Sequence, residues 1–171
     1  IMLIAKVLDW KDILSEKGAW DAMFWMGGLV ALATALAKSG FIAWIAKLIG
    51  TAVAAADMGW VASFVLISLI YIYSHYCFAS VTARISAMYA AFVAVAPACG
   101  VPAMQVAITF GCFANLPISL THYGNGCGPV YFGAGYVSQG EWWRNGFIIT
   151  TINVVIWLTI GMTWWKFIGL Y

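Results

Sequence analysis

Leu120-Thr121-His122-Tyr123-Gly124-Asn125-Gly126-Cys127-Gly128-Pro129 is the stretch on which the fold turns. Three glycines at alternate positions sit poorly in a helix, where each costs about 1 kcal/mol relative to alanine. Pro129 suits the first turn of a new helix, because the N–H that it lacks would have no intrahelical partner there. The stretch therefore reads as an unwound link between two helical pieces. Its surroundings carry the reading further. No Asp, Glu, Lys or Arg occurs between Arg84 and Glu141. Irregular backbone at membrane depth persists only where protein buries it or where it lines a watery cavity. An extramembrane loop is the other reading of the same Gly and Asn content.

Composition sets the solvent. Of 171 residues, 64% are hydrophobic and 8% charged, against roughly 45–50% and about 25% in soluble domains. A soluble fold of this size could not cover so much apolar surface, so the solvent is a bilayer. A nucleic-acid-binding domain, a disordered tail, a secreted disulfide scaffold and a cytosolic enzyme are excluded. The net charge of +2 is too small to indicate a polyanionic partner. Cys77, Cys99, Cys112 and Cys127 form no C-x-x-C pair and read as small buried residues. Residues 1–7 are apolar but lack a basic n-region and a cleavage site, so they do not read as a signal peptide. With Ile1 in first place, the chain is expected to be a fragment of a longer one.

Charges punctuate the rest, because a charge at the bilayer centre costs several kcal/mol. Lys6, Asp9, Lys11, Asp12, Glu16, Lys17 and Asp21 mark an interfacial or connecting segment. Residues 22–37 predict a tilted spanning helix, with Gly27-Gly28 marking a close helix contact. In residues 40–56, Phe41, Trp44, Ile45, Leu48 and Ile49 recur at helical spacing, which predicts an amphipathic interfacial helix; a short spanning helix is the rival. Two apolar runs, residues 58–79 and 85–96, would make a helix too long for a hydrocarbon core of about 30 Å. A break at residues 80–84 is therefore expected, giving a helix–break–helix hairpin. Gly100-Val101-Pro102 makes a turn, and residues 103–118 predict another apolar helix. Residues 130–136 predict a half-helix, residues 138–144 an exit into the interface, and residues 145–165 the last span, anchored by Trp164-Trp165-Lys166.

Two polar constellations stand out. The unwound stretch offers a hydroxyl, an imidazole, a phenol, an amide and free backbone groups; broken helices of this kind hold ions or substrates near the midplane. Ser80-Val81-Thr82 forms a second polar tip, whose plainer reading is a helix cap. Arg84 either snorkels to an interface or pairs with an anion. His75 and His122 have no acidic residue near them in sequence and make a poor metal site. His75 reads as a hydrogen-bonding core or cavity residue.

At these motifs the chain resembles a known family. Tyr73-Ser74-His75-Tyr76-Cys77-Phe78-Ala79-Ser80-Val81-Thr82-Ala83 is similar to a hairpin of the divalent anion:sodium symporter (DASS) family, and Gly100-Val101-Pro102 fits the same pattern. So do the Thr121-His122-Tyr123 run followed by Val130-Tyr131-Phe132-Gly133-Ala134-Gly135-Tyr136, the end Trp164-Trp165-Lys166-Phe167-Ile168-Gly169-Leu170, and the opening Trp10-Lys11-Asp12-Ile13-Leu14-Ser15-Glu16-Lys17-Gly18-Ala19-Trp20-Asp21. The branch resembled is that of citrate/succinate and tartrate/succinate antiporters and plastid 2-oxoglutarate/malate translocators.

The resemblance implies an all-α polytopic membrane protein of two inverted repeats, each with a re-entrant helical hairpin and a broken transmembrane helix. Residues 1–171 would be the second repeat, the C-terminal half of a transporter. The implied substrate-binding residues are Ser80, Thr82, Arg84, Thr121, His122, Gly124 and Asn125. Sodium-coupled members carry Ser-Asn-Thr at the tip and Thr-Pro in the broken helix, and their sodium sites would fall near Ser80, Thr82 and Thr121. Here Val81 replaces that Asn and His122 that Pro, while Arg84 stands where relatives of the branch commonly carry His. These departures favour exchange of one di- or tricarboxylate for another (2-oxoglutarate, malate, succinate or citrate) over sodium symport, with no cofactor and no metal. The partners implied are the anion, membrane lipid, the N-terminal repeat of the same protein and a second copy in a homodimer, with no nucleic acid. The implied location is a bacterial inner (plasma) membrane. A membrane-embedded enzyme using Ser80 or a histidine and a structural subunit without a site are the rival classes; the first lacks a G-x-S-x-G context.

Overall fold

The computed structural model describes residue 3 and residues 6–170; at residues 21, 22, 25, 26, 29, 30, 33 and 37 it describes the backbone element but not the side chain. The readings of residues 1–7, of the Asp21 side chain and of Tyr171 lie wholly or partly outside these described residues. The described residues are helical throughout, in helices linked by short turns and the unwound stretch. Their order is α1 (Trp10–Ser15), α2 (Lys17–Lys38), α3 (Phe41–Ala55), α4 (Trp60–Tyr73), α5 (Val81–Val95), α6 (Ala103–Cys112), α7 (Gly128–Gly133), α8 (Gln139–Ile156) and α9 (Met162–Phe167). Short 3-10 turns extend α4 over Ser74–Cys77 and α5 over Ala96–Cys99, and another follows α6 at Leu116–Ser119. Among the described residues three segments are long and apolar enough to cross a membrane: Trp60–Cys77, Val81–Cys99 and Gln139–Phe167. The first two have 18 and 19 residues, about 27–30 Å of helix and close to the thickness of a hydrocarbon core.

The hairpin forms, with its break earlier than residues 80–84. Helix α4 gives way to the 3-10 turn at Ser74, Phe78 is extended, and α5 begins at Val81 with Ser80 as its N-cap. Arg84 lies inside α5, in its first turn. A hydroxyl that accepts from the backbone two or three residues on starts a helix more readily than it breaks one. The two arms run antiparallel. Tyr71 of α4 lies beside Phe92 of α5, ring centroids 6.0 Å apart, and Trp60 lies against Gly100 beyond the far end of α5. Gly100 takes a φ of 74°, which turns the chain into α6. Helix α6 returns along α5: Tyr89 Oη donates to the Ala107 carbonyl at 2.9 Å, and Phe110 stacks on Tyr71 at 4.3 Å.

Helix α3 packs on α5 through its small residues and leaves much of its bulky apolar stripe on the outside. Ile42, Ala46, Gly50 and Val53 are buried, whereas Phe41, Trp44 and Leu48 are exposed. A Cβ on Gly50 would overlap the Val95 side chain, so the helices meet at that small residue. In lipid the bulky apolar face has no reason to turn inward, and small residues let backbones approach. Gly27 and Gly28 show no such contact among the described residues, where a Cβ at either meets nothing within 4 Å. Of the cysteines only Cys99 is buried; Cys77, Cys112 and Cys127 are exposed.

The last span starts earlier than residue 145. Ser138 and Glu141 form a capping box, the Ser138 hydroxyl accepting from the Glu141 N–H at 3.4 Å and the Glu141 carboxylate accepting from the Ser138 N–H at 2.9 Å. Helix therefore begins at Gln139 and runs through a π-turn at Trp157–Gly161 into α9. The helix expected over residues 103–118 is shorter, ending at Cys112, and α7 ends at Gly133.

Candidate functional site

The polar interruptions gather where α4 ends, α5 begins and α6 ends. The last carbonyls of a helix have no intrahelical donors. Arg84 supplies them. Its Nη1 donates to the Tyr71 carbonyl at 3.0 Å, and its Nη2 donates to the Phe113 and Ala114 carbonyls at 3.3 and 2.7 Å. The guanidinium lies 4.6 Å from the Tyr71 ring centroid and is fully buried, and Nε, the one nitrogen without a partner, is buried too. The resemblance implies Arg84 as a carboxylate ligand; in this geometry its donors face two helix ends.

Ser80 and Thr82 sit at the N-terminus of α5. The Ser80 hydroxyl accepts from the Ala83 N–H at 3.4 Å, and the Ser80 carbonyl accepts from the Arg84 N–H at 3.0 Å. The N–H groups of Val81 and Thr82 are left without partners among the described residues, as the first turn of a helix requires. Thr82 is exposed and Ser80 half-buried. Two backbone donors and two hydroxyls thus share the positive end of a helix dipole, an arrangement that favours an anion.

The unwound stretch comes up against the turn after α4. Tyr123 Oη donates to the Tyr76 carbonyl at 2.9 Å. Gly124 lies so close to His75 that a Cβ there would meet Nε2 of His75 and, at 2.8 Å, the Thr121 hydroxyl. His75 and Thr121 are fully buried, and among the described residues neither the imidazole nitrogens nor the Thr121 hydroxyl meets hydrogen-bond geometry with a partner. Thr121 therefore points inward, under the backbone of Gly124.

Asn125 organises the next helix. Its amide oxygen accepts from the N–H groups of Cys127 and Gly128 at 2.9 and 2.7 Å, and its amide nitrogen donates to the Ile118 carbonyl at 3.0 Å. That tie holds α7 to the end of the Leu116–Ser119 turn. His122 faces the other way from Thr121, into aromatic side chains. It stacks on Phe132 at 4.3 Å and accepts a hydrogen bond at Nδ1 from Trp143 Nε1 at 3.3 Å. Tyr123 meets it edge-on at 5.2 Å.

The sequence-derived residues thus form two groups, Ser80 and Thr82 on the α5 N-terminus and residues 121–125 on the unwound stretch. Among the described residues no hydrogen bond joins the two groups directly. They are linked through His75, Tyr76 and Tyr123. Trp143 is the residue that sequence reasoning missed. It sits in a run that reads as an interfacial exit, and its contact with His122 spans 21 residues. Among the described residues no group of three or more His, Cys, Asp or Glu side chains is placed to hold a metal ion.

Comparison with known proteins finds one family across the whole chain: the sodium:sulfate symporter transmembrane region matches residues 1–171. Over 171 residues the chain is 44% identical to dicarboxylate transporter 1, chloroplastic, of Spinacia oleracea, covering 100% of this chain and 30% of the relative. Identity to the Arabidopsis thaliana protein of the same name is 42%, covering 100% of this chain and 31% of the relative. A Bacillus subtilis (strain 168) protein provisionally named malate transporter YflS is 44% identical, covering 100% of this chain and 35% of the relative. The chain spans about a third of the length of these relatives.

Proposed function

Since the chain belongs to the sodium:sulfate symporter (DASS) family, we propose that the full-length protein is a secondary transporter that exchanges one dicarboxylate for another across a membrane. The names of the relatives favour a dicarboxylate substrate and a transporter over an enzyme or a structural subunit. The single observation that carries the reading is the meeting of two interrupted helices, where Tyr123 bonds to the Tyr76 carbonyl and Gly124 abuts His75.

One carboxylate is held at the α5 N-terminus by the Ser80 and Thr82 hydroxyls and the free N–H groups behind them. The other is held by the unwound stretch, with His122 as a side-chain donor and Gly124 and Asn125 shaping the backbone. Thr121 supports that backbone from beneath, and Arg84 fixes the tip from within. Exchange is favoured over sodium symport by two features. Val81 offers no side-chain amide at the tip. The carbonyls of Tyr71, Phe113 and Ala114, oxygen atoms of the kind a sodium ion would use, already accept from Arg84. Citrate fits the same donor chemistry as a larger substrate.

Residues 1–171 act as the second of two inverted repeats, and chain outside them supplies the first repeat and its half of the site. The assembly is a homodimer, and the membrane is a bacterial plasma membrane. Ser80→Ala combined with Thr82→Ala in the full-length protein tests the site. The KM for dicarboxylate in proteoliposomes is expected to rise about tenfold or more, the loss of charge-assisted hydrogen bonds. An unchanged KM would remove the α5 tip from the site.

A further inference from the structure

His122 is held in a manner that selects one of its two neutral forms. An indole N–H only donates, so the atom that receives it must offer a lone pair. Trp143 Nε1 reaches Nδ1 of His122 at 3.3 Å. The imidazole proton then resides on Nε2. The ring plane is fixed as well, by the stack on Phe132 at 4.3 Å with 28° between planes and by the edge contact with Tyr123. His122 is half-buried, and its Nε2 makes no hydrogen bond among the described residues and is not sealed off from the surface. One ring edge is engaged by protein, and the opposite edge is left open.

We propose that Trp143 is a positioning residue for substrate: it locks His122 in the Nε2–H form and so points one N–H donor, in a fixed plane, at a carboxylate of the transported anion. The inference rests on the reading of His122 as a substrate ligand and adds what makes it one. Imidazole could present either a donor or a bare lone pair to its open side. A lone pair would repel a carboxylate, and the Trp143 bond removes that form. The lock also distinguishes a carboxylate, which only accepts, from a ligand group that only donates at the same position.

The test uses the full-length protein in proteoliposomes and detergent, with succinate as the probe. Gln places an amide nitrogen where Nε2 lies, and Asn places one where Nδ1 lies. The KM of His122→Gln is expected to lie below that of His122→Asn by about tenfold. Trp143→Phe keeps the ring contacts and loses the donor. It is expected to raise KM about three- to tenfold with kcat little changed. Nitrogen chemical shifts of labelled histidine are expected to show His122 as Nε2–H in the parent and as a mixture of forms in Trp143→Phe. This spectrum reports the lock even if transport is lost through poor folding of the variant. If His122→Ala leaves KM unchanged, the reading of His122 as a ligand falls. If His122→Ala raises KM but His122→Asn matches His122→Gln, or the parent spectrum shows the Nδ1–H form, the ligand stands and the lock by Trp143 is overturned.

Discussion

Arg84 joins the ends of two helices through one planar group. Its hydrogen bonds satisfy the Phe113 and Ala114 carbonyls and add to the bond that the Tyr71 carbonyl accepts from the Ser74 hydroxyl at 2.7 Å, in a low-dielectric interior where an unpaired polar group costs about 1–3 kcal/mol. The forked geometry is specific to arginine. Arg84→Lys is therefore expected to lose about 2–3 kcal/mol of stability, read as a lower unfolding temperature in detergent. A lysine variant as stable as the parent would show that the fork is not needed. Gly124 makes a different kind of demand. A methyl group there would meet Nε2 of His75 and the Thr121 hydroxyl. Gly124→Ala is expected to lower both stability and exchange rate, and His75→Ser in the same chain is expected to restore part of each. The coupling between the two substitutions should be on the order of 1 kcal/mol. Additive effects would mean that the two residues do not press on one another. That Thr121, His122 and Gly124 lie at an interruption of the helices is legible in the sequence from their place in an uncharged run. Their directions are not. Whether Thr121 or His122 faces inward depends on what the hairpin turn brings against them, and that contact is far away along the chain.

Helix α8 docks through a glycine. A Cβ on Gly146 would overlap the Ser119 carbonyl oxygen and crowd Leu120 Cα, both backbone atoms that cannot swing aside. A Cβ on Gly140, in the first turn of the same helix, would meet nothing within 4 Å among the described residues. Gly146→Ala is expected to destabilise the protein by about 2 kcal/mol or more, while Gly140→Ala is neutral or stabilising by up to about 1 kcal/mol. Thermal unfolding of the pair separates close packing from helix propensity; equal effects would contradict the packing of α8 on the Leu116–Ser119 turn. At this scale the sequence is informative about which segments are helical and less so about their faces. The start of α8 is written in Ser138 and Glu141, whose spacing is that of a capping box; a charge and two tryptophans beside it read instead as an interface. The faces of α3 are harder. A hydrophobic stripe points to a core in water, but in a bilayer Phe41 and Trp44 can face lipid while Ala46 and Gly50 make the contact.

For the whole molecule, composition and charge spacing settle the solvent, the helical class and the two interruptions. The placement of Arg84 was open, because an arginine in an apolar helix has several ways to be satisfied and only the neighbouring helix ends decide among them. The chain covers 30% of the spinach relative, and the proposed two-repeat arrangement places the partner half of the site in residues outside it. The proposal that transport is exchange and not sodium symport rests on the tip. Val81 and the carbonyls engaged by Arg84 leave few oxygen or amide ligands there for sodium. The decisive measurement is counterflow with the full-length protein in proteoliposomes loaded with succinate, with labelled 2-oxoglutarate outside and no sodium on either side. Exchange predicts rapid uptake of label that depends on the internal succinate. Uptake that appears only when sodium is added would contradict it and make the protein a symporter.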